Sequence, residues 1–331
     1  MLFFTALYGG RAYALGECGL ACCIAGATGS GVTLADTLGL SIVYENTYMK
    51  TIKEGTEKRS PDQAIDRAWT TGSSYKVPTR MRMQKATLVA AVPVNERLRL
   101  VGYVPYVVND MDMRQKNAMG MVMDMRMSTV SGLGDAALMG LYTLYTDAPI
   151  RPGQRLTVGL GVKTPTGSAG ERTSSGALVH AMMQPGSGSW DALFLVDYMR
   201  AFYPLVLKAN LFYQLTTEGY NGYEFGDQLA YEVSARYQAL NYVNVGVDLS
   251  GVRVASDIDH DGRYSAPATS MVDNPANTGL DSVFIAPVVQ VKLPGTGGSG
   301  ELKYQVPIYQ DVNGIQQVMD YRVLGSVSWV F

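Results

Sequence analysis

The chain has 331 residues, a formal net charge of −2, and only 17% charged residues, against roughly 25% in a typical soluble protein. Such a charge leaves nothing for electrostatic nucleic-acid binding, and 47% hydrophobic residues exclude disorder. No uninterrupted apolar run approaches the ~18–20 residues of a membrane-spanning helix, while 36 glycines and 21 tyrosines favour strands and turns.

In chain order, residues 1–14 read as the end of a secretory signal, with apolar Leu2-Phe3-Phe4 and an Ala12-Tyr13-Ala14 cleavage pattern. Residues 15–36, rich in Gly and Ala, carry all three cysteines, Cys18, Cys22 and Cys23. In an oxidising compartment a Cys18–Cys22 disulfide with one spare thiol is the plain expectation, with lipidation or a three-thiolate metal site as alternatives. By analogy with the hatch of long-chain fatty-acid transporters, this segment is long enough to fold inward as a plug.

From residue 37 to 331 the dominant pattern is alternation. Leu38, Leu40, Ile42 and Tyr44 oppose Gly39, Ser41, Val43 and Glu45. Leu156 to Val162, Leu205 to Leu215, Leu229 to Tyr237 and Val243 to Leu249 repeat it, apolar at every second position. At the C-terminus Tyr321, Val323, Gly325, Val327, Trp329 and Phe331 share one face, opposite Arg322, Leu324, Ser326, Ser328 and Val330. A final strand with Tyr321, Val323, Val327, Trp329 and a closing Phe331 resembles the assembly signal of outer-membrane barrels. Barrel assembly machinery and outer-membrane lipid are the partners it implies.

Short connections near 93–96, 148–153, 203–204, 241–242 and 294–300 alternate with long polar ones near 54–76, 109–132, 164–188, 218–227, 256–279 and 313–320. Short turns on one side and long loops on the other are the asymmetry of an outer-membrane barrel. The expected fold is therefore all-β: a closed antiparallel transmembrane β-barrel of about twelve strands over 37–331, with both termini periplasmic.

A charge midway along such a strand needs water behind it, so the lumen should receive Lys85, Arg97, Arg99, Arg155, Lys163, Lys208, Arg236, Lys292, Lys303 and Arg322. Glu45, Asp191, Asp197, Glu232 and Asp248 should face them, either as cross-strand pairs or as a mildly positive solute path. Methionines crowd one region: Met81 and Met83 in one hairpin, then Met111, Met113, Met119, Met121, Met123, Met125 and Met127 in the expected outer loop. Thioethers are soft ligands and also pliable apolar surface, so these side chains suit a hydrophobic solute, a soft metal ion or simple packing. Asp257, Asp259 and Asp261 have the spacing that opens a calcium loop; position twelve is Ala268, where a bidentate glutamate belongs, so the three carboxylates could hold calcium only weakly in this outer loop, the alternative being a solvated acidic loop. No catalytic residues emerge: His180 and His260 both fall in outer loops and no Gly-x-Ser-x-Gly elbow is present, so an enzyme is not expected.

Several phrases carry a resemblance. Gly132-Leu133-Gly134-Asp135, Gly159 to Gly167, Gln184-Pro185-Gly186-Ser187-Gly188-Ser189-Trp190-Asp191, Asn277-Thr278-Gly279 and Gln305 to Gly314 occur in this order at strand ends and loops. Over roughly residues 130–331 the chain resembles the outer-membrane "MetA-pathway of phenol degradation" transporter family. The resemblance implies a channel or transporter for small, hydrophobic or aromatic solutes and supplies no catalytic residues. The alternatives are a metal-handling surface protein that binds copper-type ions through its Met-rich loop, and a structural barrel serving as a partner's sleeve.

Overall fold

The computed structural model describes residues 38–148, 152–173, 176–264 and 269–331. The expected signal (1–14), the 15–36 plug segment and the Cys18–Cys22 pair lie outside the described residues. The first strands are β1 (Gly39–Gly55), β2 (Glu57–Arg59), β3 (Tyr75–Pro93), β4 (Leu98–Lys116), β5 (Val122–Arg126) and β6 (Val130–Leu133). Next come β7 (Ala137–Thr146), β8 (Gln154–Lys163), β9 (Asp191–Phe202), β10 (Leu205–Leu215) and β11 (Tyr223–Glu224). The series ends with β12 (Gln228–Leu240), β13 (Val243–Val254), β14 (Ile258–Asp259), β15 (Leu280–Leu293) and β16 (Gly298–Val330). One short helix, α1 (Pro61–Ala68), sits in the loop after β2.

The wall runs β16-β15-β13-β12-β10-β9-β8-β7-β4-β3-β1, each pair antiparallel, and β1 pairs with β16 to close it. β16 passes through the wall twice. Its residues 298–312 pair with β15 and its residues 312–330 with β1. The chain reverses at Gly314, whose φ of 58° is the left-handed conformation such a turn needs. Tyr304 stacks on Tyr321 at 5.8 Å, and a Cβ on Gly298 would lie 3.2 Å from Trp329. The wall therefore makes twelve passes, and closure leaves no open edge. The expected polar connection at 313–320 is in fact mostly wall, because Gln316 and Gln317 turn their amides into the interior instead of into solvent.

Alternation places the chemistry as period two dictates. On β1, Ser41, Val43, Glu45, Thr47 and Met49 are buried, while Ile42 and Tyr44 are exposed on the outside. Leu88, Leu100, Val104, Leu138, Leu160, Val196, Leu211, Val233, Val247, Val289 and Leu302 continue that outer apolar face around the ring. Tyr44, Tyr106, Tyr231, Tyr304 and Tyr309 border it on one side, and Tyr145, Phe202, Tyr203, Tyr237, Tyr242 and Phe331 on the other. An apolar band between two aromatic girdles is the outer surface that lipid requires. No described helix is long and apolar enough to cross a membrane.

The turns at 94–97, 203–204, 241–242 and 294–297, with Leu38 and Phe331, lie at one end, where the Phe331 amide donates to the Leu38 carbonyl at 2.9 Å. The long loops lie at the other. The wall is uneven: β3 and β4 have 19 residues each, β7 and β8 only 10. Ten residues just cross a bilayer as a tilted strand, so the β3–β4 side stands well proud of it. β4 pairs with β7 only from Leu98 to Tyr103, then with β6 and, higher still, with β5. The step between low and high wall falls at Gly134-Asp135-Ala136, outside any strand.

Candidate functional site

The loop between β8 and β9 enters the barrel: residues 179–189 are all buried. A buried loop must find partners for its polar groups, and here they come from the wall step. Asp135 accepts the Gly167 amide at 2.9 Å on Oδ1, and the Ser187 amide (2.8 Å) and hydroxyl (2.6 Å) on Oδ2. Lys163 joins Asp135 (3.3 Å) to Asp191 (2.6 Å) and also donates to Ser187. Asp191 accepts from Ser189 (2.8 Å) and from Gln214 (2.7 Å). Glycine is needed because the backbones touch. A Cβ on Gly167 would lie 2.8 Å from Gly134 C, and one on Gly186 2.5 Å from Asp135 Oδ1.

A second loop, between β13 and β15, is pinned beside the reversal in β16. The Thr278 hydroxyl accepts the Asp257 amide at 2.8 Å, and Asn277 Oδ1 accepts the Ile315 amide at 3.0 Å. The Asn313 amide and the Gln316 side chain both donate to the Gly279 carbonyl, at 3.1 and 2.7 Å. The two loops meet at His180 Nδ1 and Asp273 Oδ1, 2.6 Å apart. Asp257 itself is enclosed. It accepts from Tyr223 Oη (2.7 Å) and the Gly226 amide (2.8 Å), yet burial outweighs both bonds and pushes its carboxyl up to about 7.

Between these loops and the tall wall lies a methionine-rich apolar region. Met49, Met81, Met83, Met111 and Met113 from the wall meet Met182 and Met183 from the first loop and Met271 from the second. Ile52, Tyr75, Val77, Val130, Val179, Val272 and Ile315 complete it, with Ala64 and Ile65 of α1 as a lid. α1 is started by a capping box: the Gln63 amide donates to Ser60 Oγ (3.2 Å), and the Ser60 amide to Gln63 Oε1 (2.8 Å). Trp69 packs against the same region and carries Lys116 Nζ 4.3 Å above its ring.

Nearer the short-turn end the lumen is lined by ion pairs. Glu45 faces Lys85 (3.4 Å) and Arg322 (3.7 Å), and Lys208 faces Asp197 (3.1 Å). Arg236 binds Asp248 through two nitrogens and reaches Glu301 at 3.8 Å, and Lys303 bridges Asp248 and Glu232. Arg99, Arg155 and Lys163 also stand on inward positions, Arg99 and Lys163 buried and Arg155 half-buried. Arg97 does not join them. It sits exposed in the bend at 94–97, because β4 begins only at Leu98.

Three further expectations meet the geometry differently. Met111 and Met113 belong to β4 and point inward, because β4 continues seven residues beyond Asn109, where a loop was expected. Met119, Met121 and Met123 are exposed on the outer hairpin, whereas Met125 and Met127 lean onto the buried region. Asp257, Asp259 and Asp261 do not converge. Asp257 turns to Tyr223, Asp259 accepts the Tyr264 amide at 3.1 Å, and Asp261 pairs with Arg263 at 3.1 Å. Among the described residues no group of three His, Cys, Asp or Glu side chains is placed to hold a metal. On the last strand Tyr321, Val323, Val327, Trp329 and Phe331 face outward, opposite buried Arg322, Leu324 and Ser328.

Sequence reasoning overlooked Met49, Met182, Met183 and Met271, which lie outside the Met81–Met127 stretch. It also overlooked Asp135 as an anchor. The signal was present: the glycine-rich phrases around residues 134, 167 and 186 are the ones that meet at the wall step, and those around 277–279 and 310–314 meet at the second loop.

No family model matches the chain, and no curated protein sequence matches it. Among solved structures, the crystal structure of the COG4313 outer membrane channel from Pseudomonas putida F1 superposes with a TM-score of 0.57 at 11% identity, covering 90% of this chain and 96% of that one. A Pseudomonas aeruginosa FadL homologue (TM-score 0.45, 9% identity, 98% and 99% covered) and the Pseudomonas putida toluene transporter TodX (0.44, 9%, 100% and 98%) are more distant. With its lipid-type outer face and closed wall, the chain is an outer-membrane β-barrel of porin-like build, and it shares its fold with the COG4313 structure.

Proposed function

We propose that this barrel is a relative of the "MetA-pathway of phenol degradation" transporters and passes small hydrophobic or aromatic solutes across the outer membrane, without catalysis. The observation that carries the reading is the methionine-rich region at the long-loop end, roofed by α1 and two loops that are hydrogen-bonded in place. An apolar solute entering from outside exchanges water for thioethers, valines and a tyrosine. That burial is worth about 25 cal/mol per Å² of apolar surface. Methionine fits the task because its three torsions and polarizable sulfur adapt to solutes of different shape. Below, the paired charges supply a polar stretch that weakens hydrophobic binding and favours release.

The test is initial uptake of radiolabelled toluene by cells that lack their own hydrophobic channels and express this barrel. Uptake above the empty-vector rate is expected. Met183→Lys, which places a charge in the apolar region, should return uptake to the vector rate at an unchanged level of folded barrel. Folded wild-type barrel that takes up toluene no faster than the vector control would refute the reading.

A further inference from the structure

We propose that Met49, Met81 and Met111 form a binding site for a soft monovalent cation, copper(I) or silver(I). The assignment stands apart from the solute reading. The three residues are register partners: Met49 opposite Met81, and Met81 opposite Met111, on adjacent strands β1, β3 and β4. Each is fully buried on the inner face. Met319 of β16 stands opposite Met49 on the other side, so one row of thioethers crosses four neighbouring strands at one height.

Neighbouring Cβ atoms in such a row are ~5 Å apart, close enough for three flexible thioether arms to bring their sulfurs onto one ion. Thioether sulfur is a soft ligand that prefers copper(I)-like ions to calcium, magnesium or zinc. Met83 stands one inward position below Met81. Met182, Met183 and Met271 approach from the infolded loops, so a fourth sulfur is at hand.

Packing alone does not explain the row. On the same strands, the apolar inward positions nearer the short-turn end include Val43, Val89, Val101 and Tyr103, β-branched and aromatic residues that suit a strand. On these three strands the inward methionines, Met49, Met81, Met83, Met111 and Met113, all lie toward the long-loop end. The exposed hairpin is the poorer site. There Met123 stands opposite Gln115, and Met119 and Met121 lie in solvent with no facing thioether. The row sits 12 residues from Pro93 along β3, which for a tilted strand is about 30 Å above the short-turn end. At that height the outer face already bears the charges Arg82 and Asp110, so the row stands above the lipid-facing band.

The test is calorimetric titration of silver nitrate, in chloride-free buffer, into the refolded full chain with Cys18, Cys22 and Cys23 replaced by serine to remove thiols. One tight equivalent is expected. Met49→Leu/Met81→Leu/Met111→Leu should weaken it at least a hundredfold, while Met119→Leu/Met121→Leu/Met123→Leu leaves it unchanged. If the triple wall variant does not refold, Met81→Leu alone, removing the central sulfur, should weaken binding at least tenfold. Absence of a tight equivalent in the cysteine-free parent overturns the assignment. So does equal binding by the wall variants, or loss of binding in the hairpin variant. Toluene uptake can fail while silver binds, or the reverse, so the two readings fall separately.

Discussion

Lys163 is the residue on which the infolded loop depends most. It is buried between two carboxylates, Asp135 and Asp191, that together hold six further hydrogen bonds from Gly167, Ser187, Ser189, Gln214 and Thr217. Removing one partner of a buried ion pair typically costs about 3–5 kcal/mol, because the charge left behind is uncompensated. Lys163→Met is therefore expected to lower stability by about that amount and to open 179–189 to protease, read by denaturant unfolding and limited proteolysis in detergent. Asp257 tests the second loop by pH. Its carboxyl titrates near 7 when folded, above the ordinary 3.8, so folding favours the protonated form. Its stabilising contribution is complete below about pH 4, falls as pH rises through 7, and then levels off. Protease cleavage within 255–264 should accelerate from pH 5 to pH 8 relative to a reference peptide. Asp257→Asn should be flat over the same range, and equal slopes in both proteins would contradict the assignment.

At the scale of elements, the outward–inward alternation of the wall strands was legible because it follows from the pleat alone. β10 and β12 needed no knowledge of their neighbours. The tall β3–β4 hairpin was legible only in part. Its last turns lie above the membrane, where outward Arg80, Asp110 and Asp112 pair with one another and the apolar signal of the outer face fades. Met111 and Met113 consequently read as loop. The infolded loop was not legible as such, since burial of 179–189 rests on partners up to 93 positions away. Its dependence on close backbone contact gives a sharp prediction. In Gly186→Val the new Cβ meets Asp135 Oδ1 and Gly167, so the loop should leave the lumen. Single-channel conductance in a planar bilayer is then expected to rise at least twofold over wild type. Unchanged conductance would mean that 179–189 does not limit the path.

The whole molecule is a closed ring whose seam joins the first and last described strands, from Gly39 opposite Val330 to Gly55 opposite Val312. Because every wall strand is paired on both sides, the barrel should stay folded in dodecyl sulfate until boiled. Gel mobility that does not change on boiling would argue against closure. Inside, the charges form mixed pairs around Glu45, Asp197, Asp248 and Lys163 instead of a single-sign lining. Reversal potentials across a salt gradient should accordingly show a cation-to-anion permeability ratio within about threefold of one.

Composition and period-two patterning by themselves determined the class, the number of passes, and which face of the wall strands is apolar. These properties follow from local geometry and from the solvent on each face, lipid or water. Only the tertiary structure decided what fills the lumen. The pairing of Met49 with Met81 and Met111, the entry of 179–189, and the capture of that loop by Asp135 and Lys163 all require residues far apart in sequence to share one register. Alternation says which way a side chain points, and only closure of the ring says what it meets.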